Sequence, residues 1–276
     1  DAVNHRMACM STGGYSTKNA SIAHWNSPYI EYIISIFMCI GATNMTLIYF
    51  FMNGKVMKLL KDEETIWFYA IVVLAVAVTF IWIYFNGIVT DVELAFRQAF
   101  FQVTSIISTC GFATADYIPW GPFFWMFALL LMMICGCAGS TSGGLKTGRV
   151  AILVKNLFNE FKKQTHPHAI IPVRMNGRVI SSELVHRVLA FAFIYVGLMM
   201  FTSFILLADG VGFEEALGAS VSAVSNTGPG LGSCGPVYNF SELPDLSKWV
   251  LSFAMMTGRL ELFTVLTILL PGFWKQ

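Results

Sequence analysis

Ser108-Thr109-Cys110-Gly111-Phe112-Ala113-Thr114 is a short polar, glycine-bearing run set between two long apolar segments. Lipid tolerates irregular backbone only where protein or a water-filled pore covers it. The run also has relatives in the same chain. Ser11-Thr12-Gly13-Gly14-Tyr15-Ser16-Thr17 matches it almost residue for residue, and Ser225-Asn226-Thr227-Gly228-Pro229-Gly230-Leu231-Gly232 is a looser third copy. Copies of one backbone device predict a site assembled around an axis.

The 276-residue chain is 56% hydrophobic and 12% charged, with mean hydropathy +0.65. An average soluble domain has about 25% charged residues, so this composition belongs to a multi-pass membrane protein in a lipid bilayer. The net charge of +1, with basic residues scattered among loops, excludes nucleic acid as a partner. The cysteines at 9, 39, 110, 135, 137 and 234 sit mostly in apolar sequence and read as buried thiols. Cys135-Gly136-Cys137 lacks a second ligand pair, so no transition metal is expected. Asp1 opens the chain about ten residues before the first polar copy, and a fragment lacking at least one N-terminal unit is expected.

Residues 1–10 read as the end of a short helix. Tyr32–Gly54, free of charged side chains, reads as one span leading to a cytoplasmic cluster of Lys55, Lys58 and Lys61. Thr65–Thr90 reads as a span back out. Asp91–Ile107 is too short and too charged for a span, since it carries Asp91, Glu93 and Arg97. It reads as a re-entrant pore helix whose C-terminal carbonyls face into the membrane. Tyr117–Leu145 is charge-free again, but Gly136-Cys137-Ala138-Gly139-Ser140-Thr141-Ser142-Gly143-Gly144 cannot propagate a helix well. A broken helix with an intramembrane loop is expected there, followed by the basic residues Lys146, Arg149, Lys155, Lys162 and Lys163. Gln164–Arg178 reads as a cytoplasmic connection. The unit then repeats, with a span at Val188–Ala208, a short helix at Gly212–Val224, the third polar copy, and a span at Trp249–Phe273 interrupted by Arg259 and Glu261.

The glycines of the copies recur at intervals of about 97 and 117 residues, suited to a domain-sized unit. An ion crossing lipid must have its hydration shell replaced, and glycine lets a chain turn backbone carbonyls toward an axis. Oxygen ligands suit a hard alkali cation. No carboxylate lies within any copy, which favours a monovalent ion over a divalent one.

These motifs, together with Gly-Ser-Thr-Ser-Gly-Gly-Leu-Lys-Thr-Gly (139–148) and Thr-Gly-Arg-Leu-Glu (257–261), resemble the Trk/Ktr/HKT superfamily of potassium transporters, specifically its Trk-type membrane subunit. The resemblance covers the whole chain in order. It implies an all-α membrane protein whose channel-like repeats of span, pore helix, filter and span stand pseudo-fourfold around a central pore, the first repeat lying outside this chain. On that alignment 1–64 is the end of repeat 2, 65–164 is repeat 3, 165–180 is a cytoplasmic linker and 181–276 is repeat 4. The filter would be Thr12, Gly13, Gly14, Thr109, Cys110, Gly111, Asn226, Thr227 and Gly228, binding K+ as the transported ion with no bound cofactor. Asn226 and Pro229 make the third copy the most divergent, so its geometry is expected to differ.

The resemblance further implies a gate formed by the loop residues Gly136, Gly139, Ser140, Thr141, Ser142, Gly143 and Gly144, acting as a flexible barrier, with Arg259 facing the pore. A fixed cation within a span costs about 2.5–3.5 kcal/mol on insertion scales, so Arg259 should face water or a partner; an ion pair with Glu261 or snorkelling is the alternative to the preferred gate role. Gly139–Thr147 misses the P-loop spacing by one residue and follows no strand. His166-Pro167-His168 reads as a solvated linker. A homodimer in the bacterial inner membrane, with a cytoplasmic ring of nucleotide-binding regulatory subunits of the RCK type, is also implied. A sodium-permeable or sodium-coupled transporter is the rival reading, and channel conduction against proton-coupled or sodium-coupled symport stays open. An intramembrane enzyme finds no Ser/Lys or paired-Asp arrangement within a span.

Overall fold

The computed structural model describes residues 1–276 except Pro167, His168, Ile170, Glu261, Leu270, Gly272 and Gln276, and omits the side chains of Leu269 and Lys275. Among the described residues the chain is mostly α-helical, with short 3-10 turns, one small hairpin and irregular loops that include the three polar copies. The first unit contributes α1 (Ala2–Met10), α2 (Pro28–Ala42), α3 (Met45–Met52) and α4 (Val56–Leu60). The second runs through α5 (Glu63–Phe85), α6 (Val92–Ile107), α7 (Pro122–Ile134) and α8 (Thr147–Thr165). The third consists of α9 (Ser182–Ala208), α10 (Phe213–Ser225), α11 (Asp245–Arg259) and α12 (Leu262–Leu269).

Burial separates spans from re-entrant helices. The long apolar helices α5 and α9 turn Val73, Leu74, Ile81, Phe193, Phe201 and Phe204 outward, as helices long and apolar enough to cross a membrane do. The short helices are enclosed instead: from Phe101 to Ile107 every residue of α6 is buried, as is Gly218–Ser225 of α10. Asp91 caps α6 by accepting from the Glu93 amide at 3.2 Å, and α10 opens with Glu214 and Glu215, so acids complement the positive end of each helix dipole.

Two expected spans prove bent. Tyr32–Gly54 is divided between α2 and α3, which meet at 109°. The turn follows from local chemistry. Thr43 is extended, and Asn44 caps α3 by accepting from the Thr46 amide at 2.9 Å. Likewise α11 and α12 lie 116° apart, so Trp249–Phe273 does not run straight across. The linker is also more ordered than a plain connection. Arg174–Met175 and Arg178–Val179 pair as an antiparallel hairpin around Asn176-Gly177, both with positive φ, as a type I′ turn requires. Asn176 then clips the hairpin to the start of α5, donating to Asp62 at 2.8 Å and accepting from the Glu63 amide at 2.8 Å.

One buried ion pair joins the units. Arg97 of α6 lies 3.2 Å from Glu31 of α2, both side chains under 10% exposed. Breaking a buried pair by removing one partner costs about 3–5 kcal/mol, because the other charge stays buried. Glu93, 3.2 Å from Arg97, offsets part of that loss. Glu31→Ala should therefore destabilise the protein by about 3 kcal/mol, read as a lowered unfolding midpoint in detergent; an unchanged midpoint would mean the pair contributes nothing net.

Candidate ion filter and gate

The three polar copies share one backbone design. Thr12, Thr109 and Asn226 all adopt the left-handed conformation, with φ of 51°, 56° and 58°, and two residues later Gly14, Gly111 and Gly228 have φ of 65°, 81° and 107°. Each copy closes its short helix with the same pair of bonds. The amides of Thr12 and Gly13 donate to Cys9 and Ala8, those of Thr109 and Cys110 to Ile106 and Ser105, and those of Asn226 and Thr227 to Ala223 and Ser222, all at 2.8–3.2 Å. This is a Schellman-type helix end, which tolerates asparagine at its left-handed position. The expected divergence of the third copy is therefore absent at Asn226. It appears in the side chains: Ser105 donates to the Phe112 carbonyl at 2.5 Å, whereas Ser222 accepts from the Gly228 amide at 3.1 Å.

Neighbouring copies touch through their glycines. A Cβ on Gly14 would collide with the Cys110 carbonyl oxygen, and one on Gly111 would sit 2.5 Å from that of Thr227. All nine residues from Thr12–Gly14, Thr109–Gly111 and Asn226–Gly228 line a single cavity of about 1020 Å³, which Arg259 also borders.

The loop after α7 is seated against all three copies. Thr141 accepts from the Thr12 hydroxyl at 2.9 Å through its carbonyl, the Gly143 amide donates to the Thr109 hydroxyl at 3.0 Å, and Gly143 packs so tightly on Ser225 that a Cβ would strike its carbonyl. Its outer side fits the bend between α2 and α3. There the Cys137 amide donates to Ala42 at 2.8 Å, the Met45 amide to Gly139 at 3.2 Å, and the Thr141 hydroxyl lies 3.3 Å from the Gly41 carbonyl. Gly136 has no room for a side chain, its Cβ position being 2.7 Å from the Ala42 oxygen. Ser140 and Ser142 share a hydroxyl contact of 2.7 Å, and Gly144 lies against the Cys135 sulfur. The loop is thus held at both faces.

A second cavity, of about 290 Å³, is lined by Gly139–Gly144, Lys146, Arg149, Phe191, Gly258 and Arg259. Arg259 thus stands where both cavities end. Its position is set one residue earlier, where Gly258 packs directly on the Val224 carbonyl, and by Asn226, whose side-chain Nδ2 donates to the Met255 carbonyl at 3.1 Å. The alternative ion pair with Glu261 lies outside the described residues, as does most of His166-Pro167-His168.

The family follows from comparison at this point. Residues 1–272 match the family described as TrkH, cation transport protein. The chain belongs to that family. It is 33% identical to the Trk system potassium uptake protein TrkH of Escherichia coli K12 over its full length and 57% of that protein, and 34% identical to TrkI of Halomonas elongata, covering 56% of it. The crystal structure of the potassium transporter TrkH from Vibrio parahaemolyticus superposes with a TM-score of 0.94 at 34% identity, over all of this chain and 59% of that one. The chain therefore spans a little over half the length of these relatives. Membership places the chain in a family of cation transport proteins, whose members are multi-pass membrane proteins.

Two charged residues not singled out by the sequence hold the loop. Lys146 donates its ammonium to the Ser142 carbonyl and approaches that of Ser140 at 3.5 Å. Glu64 accepts from the amides of Ala138 at 2.5 Å and Gly148 at 2.9 Å, so one carboxylate grips both flanks of the loop. Charge-assisted bonds of this kind are worth about 1.5–3 kcal/mol. Glu64→Ala should speed amide hydrogen exchange at Ala138 and Gly148 by about tenfold or more, and unchanged exchange would show that the loop is held elsewhere.

Proposed function

We propose that this chain supplies three walls of a potassium-uptake pore, with Gly14, Gly111 and Gly228 as pivots of a carbonyl-lined filter and the 136–144 loop as its gate. The observation that carries the reading is the convergence of three identically capped glycine turns on one cavity closed by one loop. A row of carbonyls held by positive-φ glycines can replace the hydration shell of a hard cation. The buried helices α6 and α10 end at these turns, so the negative ends of their dipoles lie beside the ion path.

Thr12 and Thr109 join filter to gate through their hydroxyls, which supports backbone oxygens as the ion ligands at these positions. Since the loop touches every copy, its displacement would open the path and loosen the filter residues together. Arg259 and Lys146 place positive charge below the filter, opposing a cation until the loop moves. The relatives are named potassium uptake proteins, which favours potassium over sodium. The homodimer and the nucleotide-binding ring belong to the same proposal; the hairpin at 174–179, exposing Arg174 and Arg178, is the surface offered to such a partner.

Rubidium uptake into vesicles holding the full-length protein tests the reading. Uptake should be competed by potassium far better than by sodium. Equal competition by both ions would favour the sodium-permeable alternative, and no uptake in the presence of its partners would remove the pore.

A further inference from the structure

We propose that Tyr117 is a positioning residue for ion selection, its hydroxyl bolting the segment that leaves the second polar copy to the segment that leaves the third and so setting the spacing between their filter glycines. The hydroxyl donates to the Gly230 carbonyl at 2.7 Å, joining groups 113 residues apart in the chain. Both ends lie beyond the residues assigned to the filter, Tyr117 six residues after Gly111 and Gly230 two after Gly228. An extended chain covers at most about 3.6 Å per residue, so the acceptor stands within about 7 Å of Gly228. The donor is locked in place. Tyr117 is fully buried, its ring lies 5.6 Å from that of Phe124, and the segment leading to it is tied back to α6, where Gln102 donates to the Ala115 carbonyl at 2.7 Å. The acceptor is held as firmly: the Gly230 amide donates to the Cys234 carbonyl at 2.7 Å, and Gly218 of α10 packs so closely on the next residue that a Cβ would stand 2.5 Å from the Leu231 nitrogen.

The bond therefore connects two rigid bodies, each of which ends in a filter turn. The joint between the first and second copies is closed at the same level by different groups: the Ala113 amide donates to the Ser21 hydroxyl at 3.3 Å, and the Ala113 carbonyl accepts from the Ala23 amide at 3.4 Å. At the joint between the second and third, the bond comes from a buried phenol and is shorter. Filter carbonyls discriminate between cations through the size of the cage or the field they exert, and either depends on how far apart neighbouring copies stand. Removing the hydroxyl releases that restraint while leaving every filter residue in place. A hydroxyl that only satisfied a buried carbonyl would affect stability but not the choice of ion. The role in selection rests on the filter reading above.

Tyr117→Phe removes one oxygen and keeps the ring. In the full-length protein it should lower the preference for potassium over sodium, read from the reversal potential in mixed ions, by about 3- to 10-fold, the range that one lost neutral hydrogen bond supports. Tyr195→Phe is the matched control, because that tyrosine is also buried and its hydroxyl has no hydrogen-bond partner among the described residues. Its ion preference should equal that of the wild type. Unchanged preference in Tyr117→Phe, where Gly111→Ser does shift it, would overturn the positioning role and leave the filter standing. Unchanged preference in both would remove the filter, and this role with it. Should Tyr117→Phe fail to fold, 3-fluorotyrosine in place of Tyr117 alone supplies a second reading. Its fluorine resonance should move when sodium replaces potassium at constant ionic strength, and a resonance indifferent to the ion would overturn the role.

Discussion

Gly111→Ser is expected to lower the preference for potassium over sodium by at least about tenfold, about 1.4 kcal/mol in the relative stabilisation of the two ions. The reversal potential of the full-length protein in mixed potassium and sodium should move accordingly. Two separate strains combine at this position. The φ of +81° is a conformation that costs a residue with a side chain about 1–3 kcal/mol. The new Cβ would also stand 2.5 Å from the Thr227 oxygen and 3.1 Å from Pro229 Cδ, so the third copy must give way. Displacing a carbonyl by a few tenths of an ångström changes the cage that replaces the hydration shell. Gly197→Ser is the matched control, since that glycine of α9 has open space around its Cβ position. An unchanged ion preference in Gly111→Ser, with the control also normal, would show that Gly111 is not part of a filter.

Arg259→Ala is expected to raise potassium flux through the assembled pore. A unit charge about 8 Å from the ion, in an effective dielectric of about 20, opposes it by about 2 kcal/mol, or about 30-fold in occupancy. Arg259 is exposed on both cavities, and its backbone is fixed by the contact between Gly258 and Val224, so truncation removes charge and disturbs little packing. Lys146 remains beneath the loop and limits the gain, and the seated loop itself still closes the path. Unchanged uptake in cells lacking other potassium transporters would remove Arg259 from the gate. Reduced uptake with normal protein levels would make it a positioning residue for α11.

Much of this architecture was legible because polarity in the wrong place is a strong signal in an apolar chain. The short helix at Val92–Ile107 starts one residue after its expected boundary, because the capping acid Asp91 and the polar run beginning at Ser108 mark both ends. The bends were not legible from composition: a charge-free run of the right length reads as a straight span whether or not it turns. Asn44 before an apolar stretch was the available sign of a new helix start. Third-copy divergence was misjudged at Asn226 because a change of residue type was taken for a change of backbone, although asparagine readily accepts left-handed φ. Glu64 was invisible for a different reason. Its partners, Ala138 and Gly148, are far along the chain and use only backbone amides, which leave no trace in side-chain pattern.

The central claim is that the three glycine turns hold the transported ion on one axis. Anomalous diffraction from the full-length protein crystallised with thallium in place of potassium tests it most directly. Anomalous density is expected in the cavity flanked by Thr12–Gly14, Thr109–Gly111 and Asn226–Gly228, on the side of the 136–144 loop away from the 290 Å³ cavity. Ordered thallium elsewhere in the transmembrane region, with none beside these glycines, would contradict it.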